Sequence, residues 1–442
     1  MRSVLLATAV AGTILGGMGA PALAMELRDA VSLAVTTNPE VGVVSNDRRA
    51  IDQELRQGRA LYYPQIDLRG ATGPEFSDNA TTRADGRNNR TLWRKEGSLT
   101  LSQLIFDGFF ADSEVERQQS RVKSAAHRVQ ETAEFVGLDA VEAFLEVLRH
   151  RERVKIAEDN VGTHRTRLGQ VQRRAEAGGG NIADVRQAEA RLASAESALV
   201  QSQGNLKDAE ALFIRVIGQS PETLDEPSLP AEAMPPDVEE AVATAIANSP
   251  TVAFARQDIK TSEADLKQQN ASLYPDLRLE LGASADNDVD GLDENEYDAS
   301  ALLVLRYNLY RGGADTARIR EFKWRLAEAI DTLHQNERKV AEDTRVSWNA
   351  IEVSRANTQI LANEVQANTR TRDAYLQQFD IGQRSLLDLL DSDNEVFLSR
   401  DSLVTAHYAE LFANYRLLAT LGALQRTLGI TPPDAATQPK YN

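Results

Sequence analysis

The sequence predicts a mainly α protein with a small β part, built from two tandem copies of one structural unit. Three observations predict it: internal matches at near-constant spacing, heptad-spaced apolar residues over very long stretches, and four short alternating segments. Asn38-Pro39 recurs as Ser249-Pro250 and Tyr63-Pro64 as Tyr274-Pro275, both displaced by 211 (250 − 39 and 275 − 64). Phe106-Asp107-Gly108 recurs as Tyr310-Arg311-Gly312, and Ile182-Ala183-Asp184-Val185 as Leu386-Leu387-Asp388-Leu389, both displaced by 204 (312 − 108 and 388 − 184). The seven-residue slip falls between the Tyr-Pro and the Asp-Gly-type corner, where loop length is free to vary. A tandem match of this length marks a duplicated unit.

In chain order, residues 1–24 read as a secretory signal peptide. Arg2 is a minimal positive end, Val4 to about Met18 is apolar, and Ala22-Leu23-Ala24 offers small residues for cleavage. The first repeat spans 25–220: a helix from Leu27 to about Leu61, a β-hairpin at about 64–106, then a long helical hairpin over 108–217. A Pro-rich linker covers 221–236. The second repeat spans 237–430, with a helix from Val238 to about Leu273, a hairpin at about 275–310 and a helical hairpin over 312–424. Residues 431–442 form a tail.

Each opening helix is expected to stop at its Tyr-Pro, because proline lacks the N–H and clashes with the preceding turn. Ile66-Asp67-Leu68-Arg69-Gly70 and Leu277-Arg278-Leu279-Glu280-Leu281 then alternate, as does Ser98-Leu99-Thr100-Leu101-Ser102. The counterpart over Ala299 to Tyr307 is noisier, with Leu302 and Val304 on the face that should be polar. Such segments flanking a loop read as strands of about seven to ten residues. The loops, about Gly73–Gly97 and Ser284–Asp298, differ: one carries Asn79, Arg83, Arg87 and Arg90, the other Asp286, Asp288, Asp290, Asp293 and Glu294.

From Gly108 to about Ala177 nothing interrupts a helical pattern of about 70 residues, about 105 Å at helical rise. Val115, Val122, Val129 and Val136 step by seven, as do Ile319, Leu326, Leu333 and Val340 in the second copy. Heptads at this density mean helices packed lengthwise as coiled coils. Ala177-Gly178-Gly179-Gly180 and Ile381-Gly382 turn each long helix back on a partner.

Composition narrows the function. Cys is absent, which excludes disulfides and thiolate metal sites. A formal charge of −17 argues against nucleic acid. After residue 24 no run of about eighteen apolar residues could cross a bilayer as a helix. Five histidines lie scattered over heptad helices and assemble no metal or nucleophile set. Gly178-Gly179-Gly180 has no Lys-Ser/Thr behind it, so no phosphate cradle is implied. Asp286-x-Asp288-x-Asp290-Gly291 imitates a calcium loop, but its twelfth position is Tyr297 in place of a bidentate Glu, and a solvated loop is the better reading. No paired catalytic groups are legible, so neither an enzyme nor a cofactor is expected.

Four strands cannot close on themselves, and an open edge in lipid leaves unsatisfied backbone groups. Several chains must then share one transmembrane β-barrel, and three copies giving twelve strands is the economical number for a conduit. Tyr62, Tyr63, Phe106, Phe109, Phe110, Tyr274, Tyr307 and Tyr310 cluster where strands meet helices, as an interfacial belt would. The alternative is a soluble periplasmic coiled-coil adaptor or scaffold.

With these features in place, the chain resembles the TolC family of outer-membrane channel proteins. The most specific residues are Leu101-Ser102-Gln103-Leu104-Ile105-Phe106-Asp107-Gly108 and the run Phe379-Asp380-Ile381-Gly382-Gln383-Arg384-Ser385-Leu386-Leu387-Asp388-Leu389-Leu390-Asp391. The resemblance implies a homotrimer in the outer membrane of a Gram-negative bacterium. A long α-helical barrel would extend the β-barrel through the periplasm to a closed tip. Its expected partners are outer-membrane lipid, a periplasmic membrane fusion (adaptor) protein, and an inner-membrane ABC transporter or efflux pump. Type I protein secretion is the favoured branch and multidrug efflux the alternative.

The resemblance also places Arg384 at the gate arginine, Asp184 at the gate carboxylate, and Asp388 and Asp391 at the carboxylate ring of the entrance. Phe379 stands where the family has a gate tyrosine and Ala183 where it has a threonine. The polar latch is thereby thinned, and the Arg384–Asp184 contact is expected to carry more of the closure. Gly178, Gly179 and Gly382 fall at the adaptor-docking tips. Without the resemblance, Arg384 and Asp388 at i,i+4 read as a solvated surface pair worth a few tenths of a kcal/mol.

Overall fold

The computed structural model describes residues 24–84, 86, 90–230 and 233–437. The signal-peptide stretch, except Ala24, and loop residue Arg87 lie outside them. Helices α1 (Leu27–Thr37) and α2 (Pro39–Ala60) lead to strand β1 (Gln65–Ser77), a short helix α3 (Ala80–Ala84) and strand β2 (Arg90–Phe106). Helix α4 (Phe110–Glu176) and its return partner α5 (Ile182–Ile217) follow. The second half repeats the order as α6 (Val238–Asn248), α7 (Pro250–Asn270), β3 (Asp276–Asn287), β4 (Asn295–Arg306), α8 (Ala314–Asp380) and α9 (Leu386–Thr420), and closes with α10 (Leu424–Thr427).

Each opening helix is two helices, which corrects the expectation of one. Asn38 and Ser249 hold ψ of 130° and 124°, the extended backbone that a following proline imposes. Pro39 and Pro250 then start the next helix, where a missing N–H costs nothing. The Asn38 side chain accepts the Glu40 N–H at 2.9 Å and caps α2.

The strands are also longer than expected, at 13, 17, 12 and 12 residues. Pairing runs without interruption from Gln65↔Ser102 to Ser77↔Arg90, through Gly70, Gly73 and Pro74. Those residues dilute the apolar alternation, but the register persists, and β1 is an edge strand where proline is tolerated. Among the described residues the four strands form one antiparallel sheet in the order β1-β2-β3-β4.

Alternation assigns the two faces. Ile66, Leu68, Leu99, Leu101, Leu279, Leu281, Leu303 and Leu305 share one side, and Asp67, Ser102, Arg278, Glu280 and Arg306 the other. Leu302 and Val304 pair with Glu280 and Arg278, so these two apolar residues do stand on the polar face.

The two unlike hairpin loops dock on each other. Asn79 Nδ2 donates to the Asp290 carbonyl at 2.8 Å, and Arg90 pairs with Asp293 at 3.0 Å. A Cβ on Gly291 would lie 2.6 Å from Thr82, so only glycine permits this approach. The acidic loop is therefore a docked loop, not a freely solvated one.

At the sheet–helix corner Asp107 accepts the Phe110 and Ala111 N–H groups at 3.0 and 2.8 Å. Gly108 has φ +68° with its α-carbon packed against Tyr274, where a Cβ would meet the Tyr274 Cβ at 2.7 Å. Phe106, Phe109 and Tyr274 pack edge to face around it, with centroids 5.6 to 6.5 Å apart.

Among the described residues two apolar cores hold the helices. The larger, midway along α4, gathers Val31, Val35, Val141, Phe144, Phe213, Leu417, Leu418 and Leu424. The smaller sits at the far tip and contains Val171, Val185, Ala188, Phe379, Leu386, Leu389 and Leu390.

Candidate functional site

The tip is made by two helix-reversing turns. After α4, Gly178 takes φ +80°, and the Gly178 and Gly179 N–H groups donate to Ala175 and Arg174 carbonyls at 3.0 Å each. A Cβ on Gly180 would stand 2.8 Å from the Ala175 nitrogen, so that position too requires glycine. Asn181 then caps α5 through the Ala183 N–H at 3.0 Å. After α8, Gly382 takes φ +78°, and Gln383 N–H reaches back to the Gln378 carbonyl at 2.8 Å. Ser385 caps α9 through the Asp388 N–H at 3.1 Å. Gly178, Gly179 and Gly382 are all exposed on the outermost surface of these turns.

Arg384 is held by its own helical hairpin. Its Nε donates to Gln378 Oε1 at 3.0 Å, its guanidinium lies 4.0 Å over the Tyr375 ring, and Asp388 is 3.7 Å away. Asp184 sits half-exposed on the first turn of α5, and among the described residues its carboxylate takes no hydrogen bond or ion pair. Within one chain the two gate candidates are therefore not joined. Phe379 is buried in the tip core, and Arg174 from α4 lies 5.6 Å from its ring.

Tyr375 is the residue that sequence reading missed. It lies four residues before Phe379, on the same face of a helix with few aromatics, and that spacing is the signal that could have found it. A tyrosine ring thus packs under Arg384 one turn before Phe379.

The entrance carboxylates also have partners. Asp391 accepts from Arg191 of α5 at 2.5 Å, and Asp388 has Arg384 nearby. Both pairs are surface-exposed and individually weak. Two turns above the tip lies a stronger link. Arg167 of α4 pairs with Asp393 of α9 at 3.0 Å, their side chains 8% and 1% exposed, and Arg372 of α8 lies 3.7 Å from the same carboxylate. His164 is buried beside this pair, and burial lowers its pKa. Removing one member of such a pair strands a buried charge, at about 3–5 kcal/mol.

A sheet with one apolar and one polar face, two free edges and helical hairpins beyond it defines a class: outer-membrane channels that continue into the periplasm as a helical tunnel. Residues 30–219 and 241–423 match the model of the outer membrane efflux protein family, and the chain belongs to that family. It is 26% identical to the outer membrane efflux protein BepC of Brucella suis, over 95% of this chain and 90% of that protein. It is 24% identical to the proteases secretion protein PrtF of Dickeya chrysanthemi, over 93% and 91%. Among solved structures it superposes on the Campylobacter jejuni CmeC outer membrane channel with a TM-score of 0.78 at 13% identity, covering 90% and 86%. The Vibrio cholerae outer membrane protein VceC gives 0.76 at 16%, covering 90% and 96%. The protein is thus a TolC-family outer-membrane efflux channel that extends into the periplasm, which displaces the soluble scaffold reading.

Proposed function

We propose that three copies of this chain form one passive conduit, with the polar sheet face and the long helical hairpins lining a continuous lumen. The carrying observation is the sheet: its apolar face is made for lipid, and its β1 and β4 edges are free to pair with sister chains. Residues 25–220 and 237–430 act as two quasi-equivalent halves of each wall segment. No phosphate-cradle motif is legible in the sequence, and the free energy is supplied by an inner-membrane ABC transporter engaged through a periplasmic adaptor at Gly178, Gly179 and Gly382.

The cargo we favour is protein, exported by type I secretion, as the printed names of PrtF and of the Pseudomonas aeruginosa alkaline protease secretion protein AprF suggest for those relatives. Efflux of small molecules is the second reading, favoured by the likeness to BepC. Deleting the gene and measuring secreted protein and drug tolerance in parallel separates them: loss of secretion alone supports the first, loss of tolerance alone the second.

The closed tip is held between neighbouring protomers by Arg384 and Asp184, since neither meets the other within a chain. Phe379 replaces the hydroxyl latch with apolar packing. Arg384→Ser with Asp184→Ala is expected to raise single-channel conductance in planar bilayers several-fold, and unchanged conductance removes the gate assignment. Asp388 and Asp391 ring the entrance and concentrate cations. Asp388→Ala with Asp391→Ala is expected to weaken block by multivalent cations, and unaltered block removes the ring.

A further inference from the structure

Where the polar face of the sheet meets α2, α7 and α8, it opens into a cleft of about 700 Å3. Four guanidiniums line it: Arg278 of β3, Arg306 of β4, Arg311 at the corner before α8, and Arg318 in the first turns of α8. Tyr63, Tyr274 and Tyr307 line the same cleft. We infer that this cleft is a binding site for organic anions carrying a flat apolar group, such as aryl carboxylates and aryl sulfonates.

Charge carries the first step. Two lining residues are acidic, Asp107 and Asp276, against the four arginines. The lining is thus net positive within a chain of formal charge −17, with Glu280 and Asp315 approaching from just outside it. Its guanidiniums are unequally committed. Arg278 is bonded to Asp276 at 2.9 Å, while Arg306 and Arg311 lie 3.6 Å from Glu280 and Asp315. Among the described residues Arg318 has no hydrogen-bond or ion-pair partner. Asp107 is occupied with the Phe110 and Ala111 N–H groups.

Comparison of the two halves supplies the second step. The position of Asp107 in the first corner is Arg311 in the second, an exchange that removes a carboxylate and adds a cation at this cleft. A solvated rim of arginines is the plainer alternative. It does not account for their convergence on one concavity that also presents three tyrosines. Planar guanidiniums grip carboxylate and sulfonate oxygens in pairs, and tyrosine rings present flat apolar area to the remainder of such a ligand. Concave walls of one charge sign raise the local concentration of the opposite ion.

This inference rests on the conduit reading only for its consequence, that the site faces the lumen and meets passing cargo. The binding itself is tested separately, with the detergent-solubilised full-length protein and pyrene-1,3,6,8-tetrasulfonate followed by fluorescence anisotropy. Saturable binding is expected, weakened at least tenfold in Arg306→Gln/Arg311→Gln/Arg318→Gln. Arg318→Gln alone, which breaks no contact of the fold, is expected to weaken it about threefold. Potassium sulfate should displace the probe only at concentrations far above that of unlabelled naphthalene-1,5-disulfonate. Absence of saturable binding, or equal binding by wild type and both variants, overturns the site. Equal displacement by sulfate overturns the aryl class. Channel formation in planar bilayers by the same preparation reports on the conduit reading independently.

Discussion

Helices α4 and α8 are each 67 residues long and hold equivalent places in the two halves, yet 27 residues of α4 are buried and five of α8. Helix α4 is covered along its length by α1, α2, α5, α7 and α9, whereas α8 is covered by α6, α7 and α9. The apolar pattern does not differ in kind. On α8, Val346, Val353 and Ile360 step by seven yet stand 49%, 58% and 63% exposed. Among the described residues no helix fills this heptad seam, which leaves an apolar stripe open to a partner. The comparison teaches that one repeat builds the inside of the chain, while the other leaves the apolar surface on which the proposed trimer would close.

The largest test sets the two helices against each other. Val353→Glu with Ile360→Glu on α8 is expected to abolish the proposed trimer, read by size-exclusion chromatography in detergent, while the chain keeps its helical circular dichroism. Val129→Glu with Val141→Glu, both fully buried on α4, should leave no folded chain, because a buried unpaired charge costs several kcal/mol. An oligomer that survives the α8 pair breaks the comparison.

A smaller effect belongs to one buried acid. Burial pushes Glu134 of α4 from 4.5 up to about 7, opposed by the Gln425 and Leu424 backbone N–H groups and by Arg426. Its Oε2 has no hydrogen-bond partner. The folded pKa exceeds the unfolded one, so the native chain holds an extra proton between about 4.5 and 7. Stability therefore falls as pH rises through that window and recovers on acidification. Glu134→Gln should stabilise by about 3 kcal/mol at pH 8 and hardly at all at pH 4.5, read from denaturant midpoints. The equivalent residue of α8 is Arg338 (338 − 134 = 204), which is exposed, and Arg338→Gln should change neither midpoint.

The smallest effect sharpens the contrast between the two corners. Asp107→Ala removes a cap that accepts two N–H groups and should cost about 1 kcal/mol. Arg311→Ala in the second corner should cost nothing measurable. Equal losses would mean that the corners are not distinguished by capping.

Much of this architecture was legible in advance, and the failures have common causes. Pro39 and Pro250 mark the break within each opening helix, because the residue before a proline turns extended, and a reading of one continuous helix passes over that local rule. The strands run past the point where glycine and Pro74 dilute the alternation, because backbone pairing does not depend on side-chain polarity. At the tip, Gly178, Gly382, Asn181 and Ser385 act through neighbours a few residues away, so their roles could be read locally. The ring on which Arg384 rests, Arg191 beside Asp391, and the Arg167–Asp393 link could not, because each partner arrives through tertiary packing.

By itself the sequence determined the duplication, the reversing turns, the heptad seams and the two-faced strands. Each depends on sterics and hydrogen bonds within a few residues, or on a period read along one element. Only the tertiary structure decided that α4 is enclosed while α8 is left bare, that the basic and acidic hairpin loops clasp each other, and that four arginines from separate segments converge on one cleft. Those outcomes depend on which surfaces meet across hundreds of residues of chain, and no local pattern encodes that choice.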